Sequence, residues 1–158
     1  MLTRRAIFTK LTGSEKSEPG IIAPPFFLGK FECQDCEAPC VKACHSNLLK
    51  FENDIVKFET FGCDFCGDCA KACERGVLDP ELEPCIEAVT QINVNACVAW
   101  NGVICYNCQD ACRGKRAIEF FGMLRPQIKA DICDNCGFCV SACFVGAINI
   151  KPKPKENE

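Results

Sequence analysis

Short apolar segments recur along this 158-residue chain, and each of them follows a dense group of cysteines. After the first group, apolar and polar residues alternate through 48–51 and 55–58, on either side of a polar turn at Glu52-Asn53-Asp54. Alternation on both sides of such a turn is typical of a β-hairpin. The pattern therefore predicts a hairpin directly after the first cysteine group.

The same pattern follows the third cysteine group. Strand-like segments at 117–121 and 127–130 flank a turn region from Gly122 to Pro126, and a further segment, 146–150, closes the last repeat. Repetition of one short unit points to a repeated supersecondary structure. The chain is therefore expected to form cysteine loops with short helices, pinned by small antiparallel sheets, in an α+β fold.

Composition narrows the class of protein. The formal net charge of −3 argues against a nucleic-acid binder, which needs clustered Lys and Arg in excess. No stretch approaches the roughly 20 consecutive apolar residues of a membrane-spanning helix, so we expect a soluble protein. The 17 cysteines are far more than packing requires, which indicates that they hold or use something.

Two of the four cysteine groups share one regular spacing, C-x2-C-x2-C-x3-C. This is the spacing of bacterial ferredoxins, in which the fourth cysteine usually ligates the neighbouring cluster of a pair. Gly67 and Gly137 fall within these loops, where the backbone must approach a cluster closely. These groups are motif 2, with Cys63, Cys66, Cys69 and Cys73, and motif 4, with Cys133, Cys136, Cys139 and Cys143.

The other two groups are irregular. Motif 1 has one extra residue in its second gap, and motif 3 has seven residues between its first two cysteines. In motif 3, Cys85 could replace Cys97, or the site could be left with three ligands. The groups are motif 1, with Cys33, Cys36, Cys40 and Cys44, and motif 3, with Cys97, Cys105, Cys108 and Cys112.

Iron–sulfur ligation fits these motifs better than its rivals. A disulfide scaffold needs an oxidising compartment and normally an even number of cysteines. All-cysteine zinc sites typically use two C-x2-C pairs with a longer spacer between them. The sequence therefore predicts four 4Fe–4S clusters, with all sixteen motif cysteines as iron ligands and Cys85 outside the ligand set.

The positions of the motifs suggest a ferredoxin-like, multi-cluster polyferredoxin. We expect a flexible N-terminal arm over 1–32, one unit over 33–82 with motifs 1 and 2, a second over 83–150 with motifs 3 and 4, and a disordered tail over 151–158. Within such pairs, Cys73 should complete the cluster of Cys33, Cys36 and Cys40. A nested pairing of motif 1 with motif 4 and motif 2 with motif 3 stays open.

The sequence contains no nucleotide-binding glycine motif and no catalytic constellation. His45, the single histidine, is expected to be an exposed loop residue that could tune a cluster electrostatically when protonated. Trp100 is expected either to shield the third cluster from water or to contact a partner. We therefore expect an electron-handling protein without an active site of its own.

The third motif also carries a family resemblance. Residues 95–112, followed by Ala117-Ile118-Glu119-Phe120, resemble an irregular motif of the NapF ferredoxin-type proteins of periplasmic nitrate reductase systems. Arg4-Arg5 and Pro24-Pro25 are similar to the leader of that family, so the resemblance covers nearly the whole chain. The long gap between Cys36 and Cys40 departs from the usual family spacing, and Cys85 is an addition.

The resemblance implies a cytoplasmic accessory protein that supplies electrons or clusters to the catalytic subunit precursor of periplasmic nitrate reductase before its export. A redox protein would act as its electron donor. Arg4-Arg5 also resembles a twin-arginine export signal, but no apolar h-region follows. The alternative is an electron-transfer iron–sulfur subunit of another oxidoreductase complex.

Overall fold

The structure is a computed structural model that describes residues 20–112 and 115–154. It contains four short helices and six short strands, with one strand or a pair of strands after each helix. In chain order they are α1 (Pro39–Ala43), β1 (Leu49–Glu52), β2 (Ile55–Phe58), α2 (Asp68–Lys71), β3 (Ala88–Ile92), α3 (Asn107–Ala111), β4 (Ile118–Phe121), β5 (Arg125–Ile128), α4 (Phe138–Ala142) and β6 (Ile148–Pro152).

The first predicted hairpin is confirmed. Strands β1 and β2 pair antiparallel, with Glu52 opposite Ile55 at the turn. Asn53 and Asp54 both have a positive φ, 52° and 58°. Two successive residues of this kind match the twist of the flanking strands, so the polar turn sets the register of the hairpin.

The second predicted hairpin is also present, although its boundaries differ slightly. Strands β4 and β5 pair antiparallel, with Phe121 opposite Arg125. The positive φ values of Gly122 and Met123 allow a turn shorter than the sequence suggested. Strand β5 therefore begins at Arg125 and includes Pro126, which was expected in the turn.

A third two-stranded sheet joins β3 to β6, with Ile92 opposite Ile148 and Ala88 opposite Pro152. The predicted closing segment therefore continues through Lys151 and Pro152, residues that the sequence assigned to the tail. Residues 155–158 of that tail lie outside the described residues.

The end of the predicted N-terminal arm packs against the body. Phe26 is buried, and Phe27 forms a β-bridge with Leu78. The backbone N–H of Leu28 donates to the Val77 carbonyl, and that of Asp79 donates to the Phe26 carbonyl. Residues 1–19 of the arm lie outside the described residues.

Two apolar cores support these elements. The larger one surrounds motifs 1 and 2 and includes Phe26, Val56 and Leu78, together with Ile86 from the segment before β3. The smaller one surrounds motifs 3 and 4 and is built on Ile118 and Ile148 with two buried cysteines. Short helices and short antiparallel strands around buried cysteines are compatible with a ferredoxin-type fold. None of the helices within residues 20–112 and 115–154 has the length and apolarity needed to cross a membrane.

Candidate metal centres

The sixteen motif cysteines line four cavities, with four thiols in each. Each cavity takes three cysteines from one motif and the last cysteine of its partner motif. We name them set A (Cys33, Cys36, Cys40, Cys73), set B (Cys44, Cys63, Cys66, Cys69), set C (Cys97, Cys105, Cys108, Cys143) and set D (Cys112, Cys133, Cys136, Cys139).

This grouping agrees with the crossed pairing expected from the hairpins and not with the nested one. The structure brings Cys73 to Cys33, Cys36 and Cys40, as the ferredoxin-like pairing of motifs 1 and 2 predicts. Cys97 joins set C, whereas Cys85 lines none of the four cavities.

The short helices produce the crossing. In motif 1, Cys40 lies within α1, and Cys44 is the residue that ends it. In motif 4, Cys139 and Cys143 hold the same two places on α4. Because α1 packs against α2 and α3 against α4, the cysteine at each helix end reaches the cavity of the neighbouring motif.

Backbone geometry orients the terminal cysteines. The N–H groups of Leu48, Leu78 and Ala147 donate to the Sγ atoms of Cys44, Cys73 and Cys143, at 3.5, 3.4 and 3.2 Å. These contacts hold the three sulfur atoms at the helix ends, beside the cavities that they line.

The loops that enter α2 and α4 need a special backbone conformation. Gly67 and Gly137 precede these helices with φ values of 77° and 84°. This left-handed conformation is strained for residues with a Cβ atom. Both glycines lie inside the ligand loops, where the motif spacing predicts a close approach of the backbone to a cluster.

Burial raises the pKa of several motif thiols and makes them poor acids. The pKa values of Cys69 and Cys139 are raised to about 12, first by burial and second by the thiols of Cys63 and Cys136. Burial and then Cys73 raise the pKa of Cys40 to about 11. Thiolates are the metal-binding form, so these sets need positive charge inside the cavity when they ionise.

The donor chemistry fits an iron–sulfur cluster. Each cavity offers four sulfur donors, and its other lining is mainly apolar, with Val98, Ala99 and Ile148 among the residues around set C. Thiolate sets of four are the usual ligands of a 4Fe–4S cluster. An apolar surround also limits solvent access and influences the potential of the bound group.

His45 is exposed, as expected, but it lies close to set B. Its Nδ1 atom is 3.8 Å from the Cys66 Sγ, and its Nε2 atom is 3.4 Å from the Asp64 Oδ2. The sequence did not predict this proximity, because His45 follows motif 1 whereas Cys66 belongs to motif 2.

Trp100 is half-buried beside strand β5. Its indole N–H donates to the Pro126 carbonyl at 3.1 Å, and the Arg125 guanidinium lies 5.8 Å from the centre of its ring. Pro126 in turn lines the cavity of set C. The indole therefore supports the wall of this cavity from behind.

Asn135 is a structural residue that sequence reasoning missed. Its buried amide donates to the carbonyls of Ile86 and Ala88 and accepts from the Thr90 hydroxyl at 2.7 Å. It also has a positive φ of 58°, a conformation in which Asn is enriched. Its place between Cys133 and Cys136 hid this role, because that stretch was interpreted only as ligand spacing.

A family model described as a 4Fe-4S binding domain matches residues 126–149. Together with the fold and the four thiol sets, this match defines a ferredoxin-type iron–sulfur protein that binds multiple 4Fe–4S clusters.

Relatives extend this conclusion to nearly the whole chain. The chain is 32% identical to the ferredoxin-type protein NapF of Escherichia coli K12, with 92% of each chain covered. It therefore belongs to the NapF family of ferredoxin-type proteins. It is also 26% identical to the methylamine utilization ferredoxin-type protein MauM of Methylorubrum extorquens, over 96% of this chain and 80% of the relative. Its identity to NapG of Escherichia coli K12 is 26%, over 92% of this chain and 73% of the relative.

Proposed function

We propose that this protein is a polyferredoxin with four 4Fe–4S clusters, one on each of sets A to D. The observation that carries the proposal is the convergence of four thiols on each of four separate cavities. When bound, the clusters accept and release single electrons. The protein's own residues hold the clusters through sixteen sulfurs, orient the crossing cysteines by backbone N–H groups and exclude water with apolar walls.

We further propose that the protein acts in the cytoplasm as an accessory to the catalytic subunit precursor of periplasmic nitrate reductase. It would supply electrons or clusters before that subunit is exported, and it would receive electrons from a redox protein. Membership of the NapF family supports this role. We infer no active site of its own, because the chemistry on these residues is that of ligands.

The alternative is an electron-transfer subunit of another oxidoreductase. The similarity to MauM, which spans 96% of this chain, favours it, because that relative carries the name of a different metabolic process. In this alternative the protein would relay electrons within a stable complex and would keep its clusters.

A transfer assay separates these roles. Anaerobic holo-protein is mixed with cluster-free nitrate reductase catalytic subunit, and iron, sulfide and redox state are followed in the recipient. A parallel sample receives only a chemical reductant, which controls for electron supply. Gain of iron and sulfide supports cluster donation, and gain of electrons alone supports electron supply. If neither passes and no complex forms, the nitrate reductase role is wrong and the relay alternative takes its place.

A further inference from the structure

The two ferredoxin-like units meet at a junction built on two cluster-binding loops. The N–H groups of Gly62 and Cys63 both donate to the carbonyl oxygen of Cys136, each at 2.9 Å. Cys63 belongs to set B in the first unit, and Cys136 belongs to set D in the second. A single peptide carbonyl therefore connects the two inner thiol sets.

The junction is closely packed. A Cβ atom placed on Gly137 would lie 2.3 Å from the Cβ of Phe61, far inside contact distance. On the opposite side, the ring of Phe138 lies 3.8 Å from the position of a Cβ on Gly62. The close approach of the two loops therefore depends on Gly137, whereas a Cβ on Gly62 would make only ordinary van der Waals contact.

Within each unit, the inner and outer sets are joined by the helices. Cys40 of set A and Cys44 of set B lie on or at the end of α1. Cys139 of set D and Cys143 of set C have the same relation to α4. The contacts inside each unit and the junction between units therefore arrange the sets in the spatial order A, B, D, C, which differs from their order in the sequence.

We propose that the Gly62–Cys63–Cys136 junction couples the two units into one continuous electron path, with sets A and C at its ends. The proposal rests on the proposed function, since it requires a cluster on each set. One electron from a low-potential donor protein enters at an end, passes from the reduced cluster of one inner set to the oxidised cluster of the other, and leaves to a one-electron acceptor protein. No bond is made or broken, and no proton moves.

The connection between the inner sets runs through few atoms. It leads from the Cys63 Sγ through its Cβ, Cα and N–H, across the hydrogen bond to the Cys136 carbonyl, and through the Cys136 Cα and Cβ to its Sγ. Cys136 would thus ligate the cluster of set D through its Sγ. Its carbonyl oxygen accepts a hydrogen bond from Cys63, a member of set B.

Gly137→Ala tests the junction, and Gly67→Ala is its matched control. Both glycines follow the second cysteine of a regular motif and have similar φ values, so both substitutions introduce the same backbone strain. Only the Cβ on Gly137 strikes the other unit, because the nearest atoms to a Cβ on Gly67 are 3.9 Å away. Gly137→Ala should therefore push the units apart, whereas Gly67→Ala should leave the junction closed.

The measurement is electron paramagnetic resonance of the reduced, full-length protein, together with iron and sulfide analysis of every sample. We expect spin–spin interaction between the clusters of the two units in the wild type and in Gly67→Ala, and its loss in Gly137→Ala. Fewer than four clusters in the wild type would contradict the proposed function rather than the junction.

With four clusters present, a wild-type spectrum that is the sum of two independent cluster pairs would overturn the proposed path. Interaction that survives in Gly137→Ala would overturn it too. If Gly137→Ala loses a cluster, the double variant Phe61→Gly/Gly137→Ala removes the atom that the new Cβ strikes. If the double variant regains four clusters and their spin–spin interaction, the junction is supported. If it regains the clusters without the interaction, the junction is contradicted. If neither variant retains four clusters, the wild-type spectrum decides.

Discussion

The region around motifs 1 and 2 and the region around motifs 3 and 4 bring together equivalent thiol sets with unequal amounts of apolar packing. The core around motifs 1 and 2 includes Phe26 from the leader and the fully buried Ile86 from the segment before β3. Among the described residues, the core around motifs 3 and 4 has Ile118 and Ile148 as its buried non-cysteine members. We therefore expect the region around motifs 3 and 4 to depend more on cluster ligation for a folded structure.

The surfaces at the two ends differ as well. Near set A the surface is charged, with Glu37, Lys42 and Arg75 around one concave region. Near set C, the exposed side chains include Ile104 at 68% and Phe144 at 70% exposure. The two ends of the proposed path therefore present different chemistry to solvent.

Iron removal should have the largest effect on the difference in stability between the two regions. Because metal binding to such sites is coupled to folding, anaerobic chelation should abolish most tertiary structure. The region around motifs 3 and 4 should lose its tertiary structure more completely. Hydrogen exchange of the apoprotein should show residual protection in β1 and β2 and none in β4 and β5. Equal loss in both hairpins would mean that the larger core adds no independent stability.

Removal of the Asn135 amide should have the next largest effect. Asn135→Ala removes the side-chain donor of the Ala88 carbonyl and one donor of the Ile86 carbonyl, which keeps the N–H of Ala88 at 2.8 Å. The holo-protein should therefore lose about 1–3 kcal/mol of stability, the typical cost of one buried unsatisfied group. Anaerobic denaturant unfolding of the cluster-loaded protein measures this loss.

Asp35→Ala is the control for that substitution. Asp35 holds the equivalent place in motif 1 with a similar φ of 54°, but its side chain is exposed. This variant should therefore change stability little. Equal destabilisation by both substitutions would assign the effect to the backbone conformation and not to the amide contacts.

Local pattern predicted much of the fold, and long-range contacts account for what it missed. The β1–β2 hairpin followed from alternation and the Asn53-Asp54 turn, both of which lie within a few residues. The β3–β6 pairing and the packing of Phe26 join distant segments that are short and have no turn signal between them. Such contacts depend on the complete tertiary structure.

More of the candidate site than of the surrounding fold could be predicted from the sequence. Ferredoxin spacing and the hairpins gave the crossed grouping of thiols, because the helix that carries the third cysteine also fixes the direction of the fourth. The junction at Cys136 and the network of Asn135 were missed, since both depend on which loops face each other. The spacing of cysteines along the chain does not indicate which loops face each other in the folded protein.

A smaller effect is expected at Ala38, in the lengthened gap of motif 1. Ala38 is held at a φ of 51° before α1, a left-handed conformation that costs a residue with a Cβ about 1–2 kcal/mol. Ala38→Gly should relieve this strain and raise stability by up to about 1 kcal/mol after the entropy cost of glycine. Denaturant unfolding checks this, with Ala43→Gly inside α1 as the control that should destabilise by about 1 kcal/mol.

A decrease in stability at Ala38→Gly would show that the lengthened loop is not strained.

The smallest effect is expected at Cys85. Its side chain is exposed, and its thiol lies 3.8 Å from the Ile86 carbonyl outside the four sets. Cys85→Ser should leave iron and sulfide content unchanged, whereas Cys97→Ser should reduce the occupancy of set C. Loss of a cluster in Cys85→Ser would place Cys85 among the ligands instead.

The crossed ligand sets are tested most directly by comparing Cys73→Ala with two reference variants. Cys36→Ala removes a ligand from set A, and Cys66→Ala removes one from set B, although Cys66 shares motif 2 with Cys73. Paramagnetic resonance spectra of the three reconstituted proteins show which cluster is altered. We predict that the Cys73→Ala spectrum matches that of Cys36→Ala, with the set B signal intact. A spectrum that matches Cys66→Ala would show that each motif ligates its own cluster, and it would contradict the crossed arrangement.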